Sequence, residues 1–168
     1  MASLRGAGQQ VIFRGRRSLP SSAELAYRPP MTELAFELGG GLKGLPLGSS
    51  KESVRAFFGN GHQPFKRVPS DNSADYWADA GVFAYYGSSN LLEAIEFSNP
   101  SHPTLNGAHL TTITMGEAIK CLQSLDPELR IEPGAAISTK LGIGVWRSTS
   151  ELDQPVMSAI TFGPGYYD

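Results

Sequence analysis

With 168 residues the chain is long enough for one domain with its own core, or for two small halves that share one. Hydrophobic residues make up 40% of it, yet runs such as "GVFAYY" fall far short of the roughly 20 residues that cross a bilayer as a helix, so a soluble protein with no membrane partner is expected. A single cysteine, Cys121, excludes an internal disulfide framework and leaves a metal site without a second thiolate, which favours a reducing, cytoplasmic compartment.

Charge divides the chain. In residues 1–30 five arginines (Arg5, Arg14, Arg16, Arg17 and Arg28) face one acid, Glu24. From Met31 onward nine Lys or Arg face fifteen Asp or Glu, a net charge of −6. An acidic body of that kind disfavours phosphate backbones, so no nucleic-acid partner is expected. The head has no apolar run of secretory type and reads as a flexible basic extension or a leader ahead of Met31. Residues 31–168 are taken as one domain.

That domain repeats itself, with units at about 34–100 and 104–168. In "LPLGSSKESVRAFF", Ser49 and Glu52 have the spacing of a capping box, Val54, Phe57 and Phe58 supply an apolar face, and Gly59 stops the helix. "LTTITMGEAIKCLQSL" repeats the pattern: Thr114 and Glu117 form the box, and Ile119 and Leu122 stand where Val54 and Phe57 stood. Cys121 then falls mid-helix, a packed residue and not an activated nucleophile.

After each helix comes a hairpin, "GVFAYYGSSNLLEAIEF" and "GIGVWRSTSELDQPVMSAITF". They align Gly81 with Gly142, Val82 with Ile143, Ala84 with Val145, Tyr85 with Trp146, Ala94 with Ala159, Ile95 with Ile160 and Phe97 with Phe162. The fold class is therefore α+β: two tandem helix-plus-antiparallel-hairpin repeats forming one sheet with helices on one face. Strand alternation puts Val82, Ala84, Ile95 and Phe97, with Ile143, Val145, Ile160 and Phe162, under the helices. In the first hairpin Tyr86 is set opposite Leu91, Ala84 opposite Glu93 and Val82 opposite Ile95. The other face carries Phe83, Tyr85, Leu92, Ala94 and Glu96, then Gly144, Trp146, Met157, Ala159 and Thr161. If no further layer covers it, that face is an aromatic surface suited to binding; the alternative is that Tyr85 and Trp146 pack under the long loop 59–80 or the N-terminal segment. A slip of one residue would exchange the faces.

Chemical motifs fail on context. "GGGLKG" satisfies a dinucleotide-binding pattern, but no helix starts at its last glycine. "DNSADY" begins like a calcium loop and lacks both the glycine and the closing glutamate. His62, His102 and His109 have no partner at helical spacing, so no metal or cofactor is expected. Asp75 and Asp79 flank Trp77 without a visible pocket, and no catalytic residue is assigned.

"GLPLGSSKESVRAFFG", residues 44–59, resembles the opening signature of the SmpA/OmlA small outer-membrane lipoproteins. Two such copies in tandem are similar to the β-lactamase inhibitor protein family, whose paired helix-and-sheet repeats clasp another protein. The ending "PGYYD" is similar to that of actinobacterial cytoplasmic proteins of immunity type. The inhibitor family's disulfides and the lipoproteins' lipidated cysteine have no counterpart in a chain whose one cysteine is Cys121. The resemblance implies a non-catalytic inhibitor or immunity protein with a toxin or enzyme as partner. The binding residues expected are Tyr85, Trp146, Phe83 and Glu96 on the sheet, Tyr76 and Trp77 ahead of it, and Phe65, Lys66 and Arg67 on the loop. The competing expectations are a ligand site or enzyme between the repeats, where His62, Asp75 and Asp79 would converge, and a structural component of a larger assembly.

Overall fold

The structure, a computed structural model, describes residues 34–66 and 72–167. The basic head and Arg67 lie outside the described residues.

Helix α1, Lys51–Phe58, starts at Ser50, whose hydroxyl accepts from the Ser53 amide at 3.2 Å. The expected box at Ser49 and Glu52 does not form. Ser49 instead donates to the Pro46 carbonyl at 2.6 Å, which moves the start on by one residue. Gly59 ends the helix as expected, its amide closing onto the Arg55 carbonyl. Helix α2, Met115–Leu125, has the full capping box: Glu117 donates its amide to the Thr114 hydroxyl, and its carboxylate accepts from the Thr114 amide at 2.8 Å.

Among the described residues ten strands accompany the helices: β1 Gln63–Phe65, β2 Ala74–Trp77, β3 Val82–Tyr86, β4 Leu92–Ser98, β5 Thr104–Leu105, β6 Ala108–His109, β7 Arg130–Glu132, β8 Ala135–Ser138, β9 Ile143–Trp146 and β10 Ser158–Phe162. Eight form one antiparallel sheet in the order β1-β2-β3-β4-β10-β9-β8-β7, and β5 pairs with β6 apart from it. The protein is thus α+β with sheet predominating. Helix α1 precedes β1–β4, helix α2 precedes β7–β10, and the two sets of strands meet where β4 pairs with β10.

The long segment expected as loop contains β1 and β2. Strands β7 and β8 were likewise not anticipated, although "RIEPGAAIS" carries a Pro-Gly turn between short apolar-alternating stretches.

The hairpin register also differs. Val82 faces Phe97, Ala84 faces Ile95, and Tyr86 faces Leu92 beyond a bulge at Tyr85/Tyr86. Leu92 is therefore buried with Tyr86 and is not on the open side. In the second hairpin Ala159 faces Val145 and Thr161 faces Ile143. Ala159 and Thr161 are fully buried on the helix side, and Ile160 and Phe162 point the other way, the reverse of the expected assignment. The cause is a one-residue misalignment of β10, which exchanges faces because side chains alternate.

Both helices close one side of the sheet. Val54 and Phe58 of α1, and Ala118 and Leu122 of α2, share a single core with Val82, Ala84, Ile95, Phe97, Ile143 and Val145. The sheet edges are short: β1 carries Pro64, and β7 carries Arg130 and Glu132, which pair at 3.1 Å. Edges of three residues bearing proline or charge resist strand addition by another chain.

Candidate binding face

The side of the sheet away from the helices is built by register. Gln63, Tyr76, Phe83, Glu96, Ile160, Gly144, Ile137 and Arg130 lie abreast across all eight strands. A second row runs Phe65, Ala74, Tyr85, Ala94 and Phe162; a third runs Ser98, Ser158, Trp146, Ala135 and Glu132.

The first half of this surface is aromatic and self-packed. Tyr76 and Phe83 stack with centroids 4.1 Å apart and planes within 12°. Tyr85 lies parallel to Phe83 at 6.2 Å, and Phe65 meets Phe83 edge-on at 5.6 Å. The Tyr85 hydroxyl donates to the Glu96 carboxylate at 2.8 Å, fixing both across the β3–β4 pair. Toward β10, Tyr85 contacts Tyr166, and Tyr166 and Tyr167 both pack on Phe162. Phe162, though on this side, is only 2% exposed because the chain's last tyrosines cover it. Sequence reasoning did not assign these two tyrosines; their signal was the aromatic pair just past the last strand.

The second half is sparser. Gly144 is buried between Ile137 and Ile160, whose side chains close over it, and the Trp146 indole stands 48% exposed. Phe65 and Lys66 are exposed at the β1 edge, and Phe83, Tyr85, Glu96 and Tyr76 are half-buried on the face. Of the alternatives for Trp146, exposure is the one found.

Trp77 differs from this group. It is 4% exposed on the helix side, its indole N–H donates to the Gly59 carbonyl at 2.9 Å, and its ring lies 5.1 Å from Phe58. It belongs to the core and cannot present a contact on the open face.

Behind the face is a buried charge. Asp75 is 1% exposed and accepts two bonds from Arg55, at 2.8 and 3.0 Å, and one from the Tyr86 hydroxyl at 2.8 Å. Burial by itself would raise the Asp75 pKa, but the Arg55 and Tyr86 hydrogen bonds and the guanidinium charge outweigh it and hold the carboxyl below the usual range. Burial and the bond to Asp75 push the Tyr86 phenol well above its ordinary value. This is a satisfied structural cluster, with the acid anchored to α1.

Asp75 is committed to Arg55, and the His62 ring packs 5.8 Å from Trp77. His102 pairs with Thr111 at 2.9 Å. Burial raises the Cys121 thiol pKa, the direction opposite to activation. Among the described residues no three His, Cys, Asp or Glu gather as a metal site, and no helix is long and apolar enough to cross a membrane. No family model, curated protein or solved structure matches this chain.

Proposed function

We propose that this chain is a non-catalytic binding protein, a cytoplasmic inhibitor or immunity protein that covers a partner enzyme or toxin with its open sheet face. The observation that carries the reading is the continuous aromatic surface from Phe65 to Tyr85, extended on the same face by the exposed Trp146. Tyrosine and tryptophan on a rigid support offer large contact area at low entropic cost, and such residues dominate protein interfaces. Size agrees: eight strands about 4.8 Å apart and averaging between four and five residues give a face of about 600 Å², close to the roughly 800 Å² each partner contributes to a standard interface. The blunted edges leave the face as the docking surface.

The platform itself we infer to be a doubling of one helix-and-four-strand unit, as the resemblance to the inhibitor family implies. The β4–β10 pairing supports this: Ser158 faces Ser98, Ile160 faces Glu96 and Phe162 faces Ala94, a register centred on Glu96 and Ile160. Gly81 and Gly142, which open β3 and β9, share φ of 64°. A Cβ there would lie 2.6 Å from the Ser98 carbonyl oxygen at Gly81 and 2.5 Å from that of Phe162 at Gly142, so the same close approach excludes a side chain at both.

The test uses a partner captured on the immobilised chain, identified, and then purified. Tyr85→Ala with Trp146→Ala should weaken its binding by about 3 kcal/mol or more, over a hundredfold, with a melting point within a few degrees of the parent. Unchanged affinity in the doubly substituted, folded protein overturns the reading.

A further inference from the structure

On the helix side, away from Tyr85 and Trp146, a cavity of about 290 Å³ opens between the end of α1 and the turn at Ala78–Ala80 that joins β2 to β3. One wall is apolar: Phe58, Trp77 and Val82. The other is polar: Asn60, Gln63 and Asp79. The volume sits at the lower end of the roughly 300–1,000 Å³ of ligand sites, a size for a small metabolite.

Two features specify the chemistry. Asp79 is the one charged side chain among the described lining residues, and none of those residues forms an ion pair with it. The Trp77 ring is held in place through its N–H to Gly59 and is the best cation acceptor among side-chain rings. Nothing in the lining offers a counter-charge to an anion.

We propose that this cavity binds a small organic ammonium, its cationic nitrogen at Asp79 and its apolar body against Trp77 and Phe58. The acidic protein body favours approach of such a cation. The site is independent of the open-face reading, because neither Tyr85 nor Trp146 lines it and Gln63, at the β1 edge, is the one residue named in both.

Trp146→Phe in the full chain leaves Trp77 as the only tryptophan and a reporter inside the cavity wall. Phenethylamine, phenylacetate and 2-phenylethanol share a ring and differ in charge. Titration at neutral pH should give a saturable change in Trp77 emission with phenethylamine, at least tenfold weaker in Asp79→Asn, and none with phenylacetate. Amide NMR shifts should centre on Gly61 and Ala80. No saturation, equal binding of amine and acid, an unchanged constant in Asp79→Asn, or shifts centred on the open face would each overturn the proposal.

Discussion

The strands following α1 and those following α2 use the same backbone register for different chemistry. Asp75 faces Ala84 in the β2–β3 pair, where the β8–β9 pair sets Ala136 against Val145. On the open side Tyr76 faces Phe83 in one pair, and Ile137 faces Gly144 in the other. One half therefore carries an acid buried against a guanidinium beneath a stacked aromatic surface, and the other an acid, Asp126, buried against the Ser138 hydroxyl, with Ile137 and Ile160 closed over Gly144 and one exposed indole on the open side. Strand pairing and the two left-handed glycines fix the frame, and the side chains on it are free to differ.

The largest way to break the comparison is through the buried ion pair of the first half, whose place the second half fills with Asp126 bonded to the Ser138 hydroxyl. Arg55→Met leaves the Asp75 carboxylate buried with Tyr86 alone and should cost about 3–5 kcal/mol in urea unfolding. Asp75→Asn keeps an oxygen acceptor and strands only a half-exposed guanidinium, so its cost should be about 2 kcal/mol. A larger loss for Asp75→Asn than for Arg55→Met would show that packing, and not charge, governs the cluster.

The same contrast can be followed by pH. Because the folded-state pKa of Asp75 is lowered, its contribution is present above the unfolded value of about 3.9 and is lost as pH falls through the folded one. For Tyr86 the folded pKa is raised, so its contribution is complete below about 10 and declines as pH rises above that. Unfolding free energy should thus fall on the acid side below about pH 4, and that fall should shrink in Arg55→Met, where the carboxyl no longer has its guanidinium. An unaltered acid limb in Arg55→Met would remove Asp75 as its source.

The frame glycines come next. Gly142→Ala places a Cβ 2.5 Å from the Phe162 carbonyl oxygen at a φ of 64°, which should cost about 2 kcal/mol or more. Gly81→Ala should cost a similar amount if the two halves are built alike. A loss at only one of them would separate the halves.

Much of this frame was legible in the sequence. The helices and the two central hairpins follow from capping residues, 3.6-residue periodicity and alternation. What was not legible has physical causes. Ser49 and Ser50 are both good caps, and only the tertiary path of the preceding turn, held by Ser49 on the Pro46 carbonyl, selects the second. The face of β10 was missed because "MSAITF" alternates no more clearly one way than the other: Ile160 and Phe162 resemble core residues, and the core at those strands needs the smaller Ala159 and Thr161. Strands β1 and β2 sit in a polar stretch whose strand character comes from pairing with one another and with β3. Of the residues proposed for binding, Phe83, Tyr85, Glu96 and Trp146 lie on the face anticipated. Trp77 does not, because its neighbour Tyr76 takes the open side and alternation sends the indole inward.

The smallest effect sharpens the comparison where the halves differ most. Gly144 has no left-handed φ, so an alanine there meets only a packing question. Its Cβ would lie 3.1 Å from the Ile160 Cγ2, with the Ala136 oxygen at 3.6 Å and the Ile137 Cγ1 at 3.7 Å. Ile160 is half-buried on the open side, so its methyl can yield by a few tenths of an ångström. Relieving a strand glycine is worth roughly 0.5–1 kcal/mol, and the contact takes back part of that, leaving Gly144→Ala more stable by about 0.5 kcal/mol. A loss above about 1 kcal/mol would mean that Ile160 is held as firmly as the stacked rings across from it. The second half would then be as rigid a surface as the first, despite its exposed tryptophan.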